Sequence, residues 1–487
     1  MRKIFPLLAV FGFWVCAAEL IVAVSTEPPS LDPTTNAAAV IRLLLQHNLY
    51  ENLVQIGENG EIRPMLARAW ELSEDGRTYT FHLEPGVLFH DGTLCNAEAV
   101  KRSFLRAKDP GCGVVHPEYF AALEEIEVLD ELTVRFVLKE SNAAFLALLA
   151  LGDAVIVPDR DDLGSNPIGT GPFKFARWDP GYQLRLERNP NYWQAGKPQV
   201  SAVVFRFIPD PVAQAAALRA GDVDIILEAT PEIAETLSGF QVFSAPQDLV
   251  QILAINKTRP PFHDPLVRQA LAHAVDRAQL IRLVARGFAS PLGSHLSPSA
   301  PYYADMTWVY PYDPARAREL LAQAGYPQGF SATLTLPANY SFHVRTGEVL
   351  AAQLAKVGIK LDLILVDWPT WLERVYGQAD FDLTVIGHVG RVDPALTLAY
   401  YGPERPDYYF RRGWSNPELD ELLRLGATIP DPGARKSIYT VAQYLIARDV
   451  VNVFLQAPHR IVVARPNVTG IKLPALYLLP LGEVGKG

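Results

Sequence analysis

The run GTGPFKFARWDPGYQLRLERNPNYW, residues 169–193, decides how the rest of the chain is read. It opens on the turn Gly169-Thr170-Gly171-Pro172. Residues 173–176 and 183–187 then alternate apolar and polar side chains on either side of Asp179-Pro180-Gly181. Alternation bounded by Gly, Pro and Asp predicts two short, half-buried strands, since successive strand side chains point to opposite faces. The run closes on Asn189-Pro190-Asn191-Tyr192-Trp193, a turn carrying two large aromatics.

Upstream, Arg2 and Lys3 precede an apolar stretch over residues 5–15 and the small residues of Cys16-Ala17-Ala18. This order reads as a secretory leader over residues 1–18, with Glu19 as the mature start. Trp14 and Val15 are bulky where lipidation at Cys16 would prefer small residues, so cleavage is favoured over a lipid anchor. No later apolar run is long enough for a transmembrane helix. The mature chain is therefore expected outside the cytoplasm, in the periplasm or an equivalent space. Cys95 and Cys112 would then be the remaining cysteines. They could pair in an oxidising compartment or stay as buried thiols, and the sequence does not choose.

A length of 487 residues exceeds one ordinary core. Formal charge is −9 and no basic run occurs, which disfavours a nucleic-acid partner. Gly-x-Ser-x-Gly, His-Glu-x-x-His and phosphate-loop motifs are lacking, so no catalytic residue is assigned. His82, His90 and Asp91 are too few for a metal site, and His90-Asp91-Gly92 is read as a tight turn.

In chain order, residues 19–24 form a β-type run and residues 38–54 have helical periodicity. The stretch LARAWELSEDGRTYTFHLEPGVLFHDGTLCNAEAVKRSF, residues 66–104, supplies strands, turns and a helix capped by Asn96. Asp-Pro or Asn-Pro starts recur at 210, 264, 313 and 416, with glycine stops expected at 221, 287, 325 and 426. Residues 258–274 read TRPPFHDPLVRQALAHA after a buried strand at 250–256. Strands then alternate with helices through residues 332–336, 359–365 and 381–386, as in a partly parallel sheet.

The runs at 66–104, 169–193 and 258–274, in this order, resemble the extracytoplasmic solute-binding proteins of the peptide/nickel family (family 5, oligopeptide- and dipeptide-binding-protein-like). These are the capture subunits of ABC importers. The resemblance implies an α/β, two-lobed periplasmic-binding-protein fold of class II type with an extra β-rich subdomain in the first lobe. Lobe I is expected over residues 19–247 and 464–487, with the subdomain at about 38–168, and lobe II over 248–463. Hinge crossings are expected at 246–250 and 463–466. The implied protein is a monomer without cofactor that closes on a small ligand and serves membrane permease subunits.

Peptide-binding members anchor the ligand's amino terminus with a carboxylate just before an Asp-Pro or Glu-Pro pair. Here that region is Gly387-His388-Val389-Gly390-Arg391-Val392-Asp393-Pro394, with Arg391 at or near the anchoring position. A guanidinium there would attract a carboxylate or phosphate. The arginine that grips a dipeptide's carboxylate is also missing, since Asn339 and Tyr340 stand there and Arg345 falls within the next helix. Both departures speak against a simple dipeptide. A longer peptide, an anionic solute or a metal chelate remain open, and a secreted hydrolase is the reading outside the class. Besides Arg391, the ligand-binding candidates are His388, Asp393, Trp368, Tyr340, Asn339, Tyr409, Trp414, Thr35 and Asn36. For Asp393, turn formation is the competing role.

Overall fold

A computed structural model describes residues 18–58 and 60–487. The leader expected at residues 1–18, apart from its last residue, and the lipidation alternative at Cys16 lie outside these. Among the described residues no helix is long and apolar enough to cross a membrane.

The two alternating runs of the decisive stretch form the strands Phe173–Asp179 and Gln183–Arg188, paired antiparallel around Gly181. Gln183–Arg188 continues onto Ala202–Phe207, which runs parallel to Glu19–Val24. A single buried carboxylate gathers three side-chain donors of the stretch. Glu51 is fully enclosed and accepts hydrogen bonds from the Thr170 hydroxyl (2.8 Å), the Tyr192 hydroxyl (2.8 Å) and the Trp193 indole N–H (3.0 Å). Burial nevertheless raises its pKa to about 7. The backbone supports the same docking, because Gly171 N–H donates to Leu49 (3.0 Å) and Phe173 N–H to Asn48 (2.9 Å). Glycine is required at 169 and 171, where a Cβ would run into the carbonyls of Leu49 and Asn48.

The helix expected over residues 38–54 is only Ala39–Leu45. His47 adopts φ +62° and turns the chain, freeing Asn48, Glu51 and Asn52 to satisfy other segments. Asn48 binds the Leu479 carbonyl and the Leu481 N–H, both at 2.8 Å, and so returns the C-terminal tail to the first lobe. The β-rich part is a four-stranded antiparallel sheet in the order Ala67–Leu72, Thr78–Leu83, Thr133–Leu138, Leu123–Asp130. The helix Ala97–Lys108 packs on it, capped by the Asn96 side chain as expected.

His90 stands in the predicted turn and clasps the decisive stretch. Its Nδ1 accepts from Gly169 N–H (3.2 Å), and its Nε2 lies 3.1 Å from the Gly171 carbonyl. A backbone N–H can only donate and a carbonyl can only accept, so the ring must be the neutral Nε2–H tautomer. Burial holds its pKa at about 4. Cys95 is buried and Cys112 exposed, and both are free thiols.

The second lobe contains the parallel strands Ile359–Val366, Phe330–Pro337 and Leu383–Val389, followed by antiparallel Leu249–Ile255. One long strand, Asn452–Ala464, joins both lobes. Its residues 452–456 pair with Leu249–Ile255, and its residues 459–464 pair with Gln241–Pro246. The partner change therefore falls between residues 456 and 459. His459 bridges it, with Ser244 Oγ at 2.8 Å on one ring nitrogen and Ser290 Oγ at 2.9 Å on the other.

Two helix expectations are also corrected. The helix opened by Asp264 ends at Ala274, because Asp276 caps a separate helix, Arg277–Val284. Gly426 lies inside the helix Pro417–Thr428, where its missing side chain admits the Tyr439 ring.

Glu51→Ala strands the Thr170, Tyr192 and Trp193 donors, the first of them fully buried, and should lower unfolding free energy by roughly 3 kcal/mol in urea denaturation. Glu51→Gln should cost much less, since the Tyr192 hydroxyl can rotate to accept from an amide. A depressed histidine pKa stabilises the fold above the unfolded value of 6.5, and that stability is lost as pH falls toward about 4. The urea midpoint should therefore drop between pH 6.5 and 4, and drop less steeply in His90→Gln, which keeps one acceptor and one donor without titrating.

Candidate functional site

A cavity of about 420 Å³ opens where the lobes meet. Its wall combines Arg42 and Gln46, the 151–152 turn, the tail at 474–477, the crossing at 245–249, the loop 389–392 and Arg460. Leu383–Val389 runs parallel to its neighbour, so the loop that follows lies at a carboxyl end of the sheet, a common place for ligands in α/β folds.

On the second-lobe side Asp248 organises the loop. Its carbonyl accepts from Gly390 N–H (2.7 Å) and its carboxylate from Val392 N–H (2.9 Å). A Cβ at Gly390 would collide with that carboxylate, which explains the glycine. Burial pushes the Asp248 pKa up to about 6. Val392, at φ +62°, buries its side chain in the first-lobe core. Arg391 is thereby held in the cavity wall, half-buried, with its guanidinium over the rings of Tyr119 (5.8 Å) and Tyr400 (6.0 Å). Among the described residues it has no ion-pair partner.

On the first-lobe side Arg460 is buried. One of its terminal nitrogens donates to the Leu478 carbonyl (2.7 Å), and the other has no hydrogen-bond partner among the described residues. Desolvation lowers its pKa to about 10. Arg42 donates to the Ala37 carbonyl (3.0 Å) and lies 3.7 Å from buried Asp153, while its Nε has no hydrogen-bond partner among the described residues. Gly152 leaves room for the Arg42 stem. The Tyr477 hydroxyl donates to Glu228.

The other residues singled out from sequence do not line this cavity. Asp393 is the clearest departure. It is buried in a two-point ion pair with Arg435 (2.6 and 2.9 Å) and accepts from Ala395 N–H as a helix cap. With both oxygens taken, it is not available to an amine. His388 Nε2 lies 2.6 Å from the Tyr409 hydroxyl, and Tyr409 is itself core. Trp414 donates to Asp449 (3.3 Å) within the second lobe. Asn339 accepts from Trp368 N–H (3.0 Å), Trp368 stacks on Trp371, and exposed Tyr340 abuts Trp368. These three follow the carboxyl ends of the parallel strands, as Arg391 does, but lie outside the wall. Thr35 and Asn36 precede the helix Ala39–Leu45, where Asn36 accepts from Ala38 N–H (3.0 Å).

Arg42, Asp248, Glu228, Arg460 and Tyr477 were not anticipated. Two carried a readable signal. Arg42 interrupts AVIRLLL and Arg460 interrupts the apolar strand NVFLQAPHRIVVA, and a lone charge in an otherwise buried run demands a partner. No cluster of three or more His, Cys, Asp or Glu able to hold a metal occurs among the described residues.

Comparison with known proteins agrees with this architecture. Residues 61–404 match the family model for bacterial extracellular solute-binding proteins, family 5. The chain is 31% identical over 481 residues to the glutathione-binding protein GsiB of Pectobacterium atrosepticum, covering 95% of this chain and 92% of the relative. It superposes on the Helicobacter pylori DppA, solved with the peptide STSA, with a TM-score of 0.74 and 27% identity, over 96% of this chain and 98% of that one. For AgaA of A. tumefaciens R10, solved with agropinic acid, the values are 0.73 and 29%, over 96% and 99%. The chain thus belongs to the family 5 bacterial extracellular solute-binding proteins, the substrate-binding subunits of ABC transporters.

Proposed function

We propose that this chain captures a short peptide in the cavity between the lobes and hands it to membrane permease subunits, acting outside the cytoplasm after removal of its leader. The observation that carries the reading is Arg391, which lines the cavity without an ion-pair partner among the described residues, on a loop whose next residue is anchored in the other lobe. Relatives that bind glutathione or a four-residue peptide support a peptide over other solutes. The work is binding and release, and no covalent step is assigned to any residue.

In this reading lobe I comprises residues 19–247 and 459–487 and lobe II residues 248–458, hinged at both crossings. Capture requires that the ligand bind the closed form better than the open one. Exposed ion pairs across the outer side, Arg345 with Glu232 and Arg286 with Glu235 (both 2.9 Å), are of the kind worth little, so they scarcely oppose such motion.

Native mass spectrometry of the purified protein should release short peptides. A metal-chelate or sugar-type mass instead would overturn the peptide assignment. Arg391→Ala should weaken the bound peptide more than tenfold in calorimetry, from about 1.5–3 kcal/mol for a charged hydrogen bond, with the thermal midpoint unchanged. Asp393→Ala should do the reverse of a pure binding variant. It leaves Arg435 buried and unpaired and should cost about 3–5 kcal/mol of stability in urea denaturation.

A further inference from the structure

The second-lobe helix Pro417–Thr428 ends without a glycine, and Ile429 leaves it in extended conformation. The last four carbonyls of a helix have no acceptor role within it and must find donors elsewhere. Here two of them find donors in the other lobe. The Ala427 carbonyl accepts from Ala143 N–H (2.9 Å) and the Thr428 carbonyl from Ser141 Oγ (2.6 Å). The donating segment is held on the four-stranded sheet of the first lobe. Phe145 packs against Tyr79 and Phe136 (5.3 and 6.2 Å), and the Tyr79 hydroxyl donates to the Asn142 carbonyl (3.4 Å). The Ala143 carbonyl in turn accepts from Arg435 (3.3 Å), whose ion pair with Asp393 fixes one end of the loop 389–392.

A second contact meets the same loop. Tyr119 stands on the turn Pro117–Phe120, placed by Phe120, which is buried edge-on against Phe104 (5.5 Å). Its half-buried ring stacks on His116 (4.7 Å) and lies 5.8 Å from the Arg391 guanidinium. Tyr400 of the second lobe lies 6.0 Å from the same guanidinium. A cation is attracted to ring faces at about this range, so Arg391 is placed by one ring from each lobe. The next residue, Val392, buries its side chain among first-lobe residues.

We infer that the β-rich part of the first lobe is a latch that holds the two lobes closed. Tyr119 is the positioning residue for Arg391, and Ser141 and Ala143 are the strap across the end of the second-lobe helix. The kinds of contact involved allow the latch to release. Parting the lobes returns two helix carbonyls and a guanidinium to water, which replaces their partners at small net cost, while Val392 loses apolar cover. The latch therefore favours the closed form by a margin to which contacts with a ligand add. It acts whichever solute occupies the cavity.

The test adds no ligand, so its failure leaves peptide capture standing. Spin labels are placed on the native exposed thiol of Cys112 and on Val441→Cys, an exposed position of the helix Pro432–Arg448. Cys95 is buried and stays unlabelled. Double electron–electron resonance then reads the distance between the lobes, which in most molecules of the free protein should be the distance of this structure. Tyr119→Leu, and Ala143→Pro with its N–H removed, should each move roughly a third or more of the molecules to longer distances. Tyr119→Phe keeps the ring and should leave the distribution unchanged. Should Ala143→Pro fail to fold, Tyr119→Leu against Tyr119→Phe decides. A free protein that lacks the short distance, or a Tyr119→Leu distribution that superimposes on the parent's, overturns the latch.

Discussion

A carboxylate with no access to water must find its donors inside the protein, and Glu51 finds all three in the segment from Thr170 to Trp193. That requirement positions the rest of the first lobe. The donors sit on both sides of the hairpin Phe173–Arg188, so docking onto Glu51 sets where the hairpin begins and where it leaves. The turn at His47 that presents Glu51 also presents Asn48, which captures the tail. Gln46, one residue earlier, binds Asn52 and the Ala150 carbonyl while its helix carries Arg42 to the cavity. The first-lobe wall of the site is thus built outward from the surroundings of one acid.

The same logic runs differently across the cavity. There a loop from the second lobe, not a sheet, brings Arg391 to the wall. It is fixed at both ends, by Asp248 beneath Gly390 and by the Asp393–Arg435 pair. Ala143 N–H donates to Ala427 (2.9 Å), and Arg435 also reaches the Ala143 carbonyl (3.3 Å), so the β-rich part of the first lobe touches the helices that hold this loop. Charge placement at the site depends on contacts formed between lobes.

Local grammar explains which features were legible. Alternating strands, Asx caps and Asp-Pro helix starts concern neighbours in sequence, and the structure places them where the residues indicate. His47 is a non-glycine residue at positive φ inside a helical pattern, and Gly426 serves packing where a stop was expected. Both are decided by distant partners. The partner change inside Asn452–Ala464 was hidden because one uninterrupted β run serves two lobes. Arg391, which lines the cavity, was singled out because it departs from a family pattern. Trp368 was singled out by its place after a strand and Tyr409 and Trp414 by their clustering, but large rings such as Tyr409 go to the core when core is available. Arg460 and Asp248 converge only once the tail and both crossings are folded.

The histidine at the crossing differs from the one in the first lobe in a way that bears on acidity. His90 is locked by an amide that can only give a proton and a carbonyl that can only take one, so adding a proton to the ring breaks a contact. His459 instead rests between two serine hydroxyls, each able to give or take. Either tautomer, and the doubly protonated ring as well, can keep both contacts by rotating an O–H. The joint between the lobes therefore keeps its contacts through an acidification that breaks the clasp on the first lobe, although burial still disfavours the protonated His459 ring.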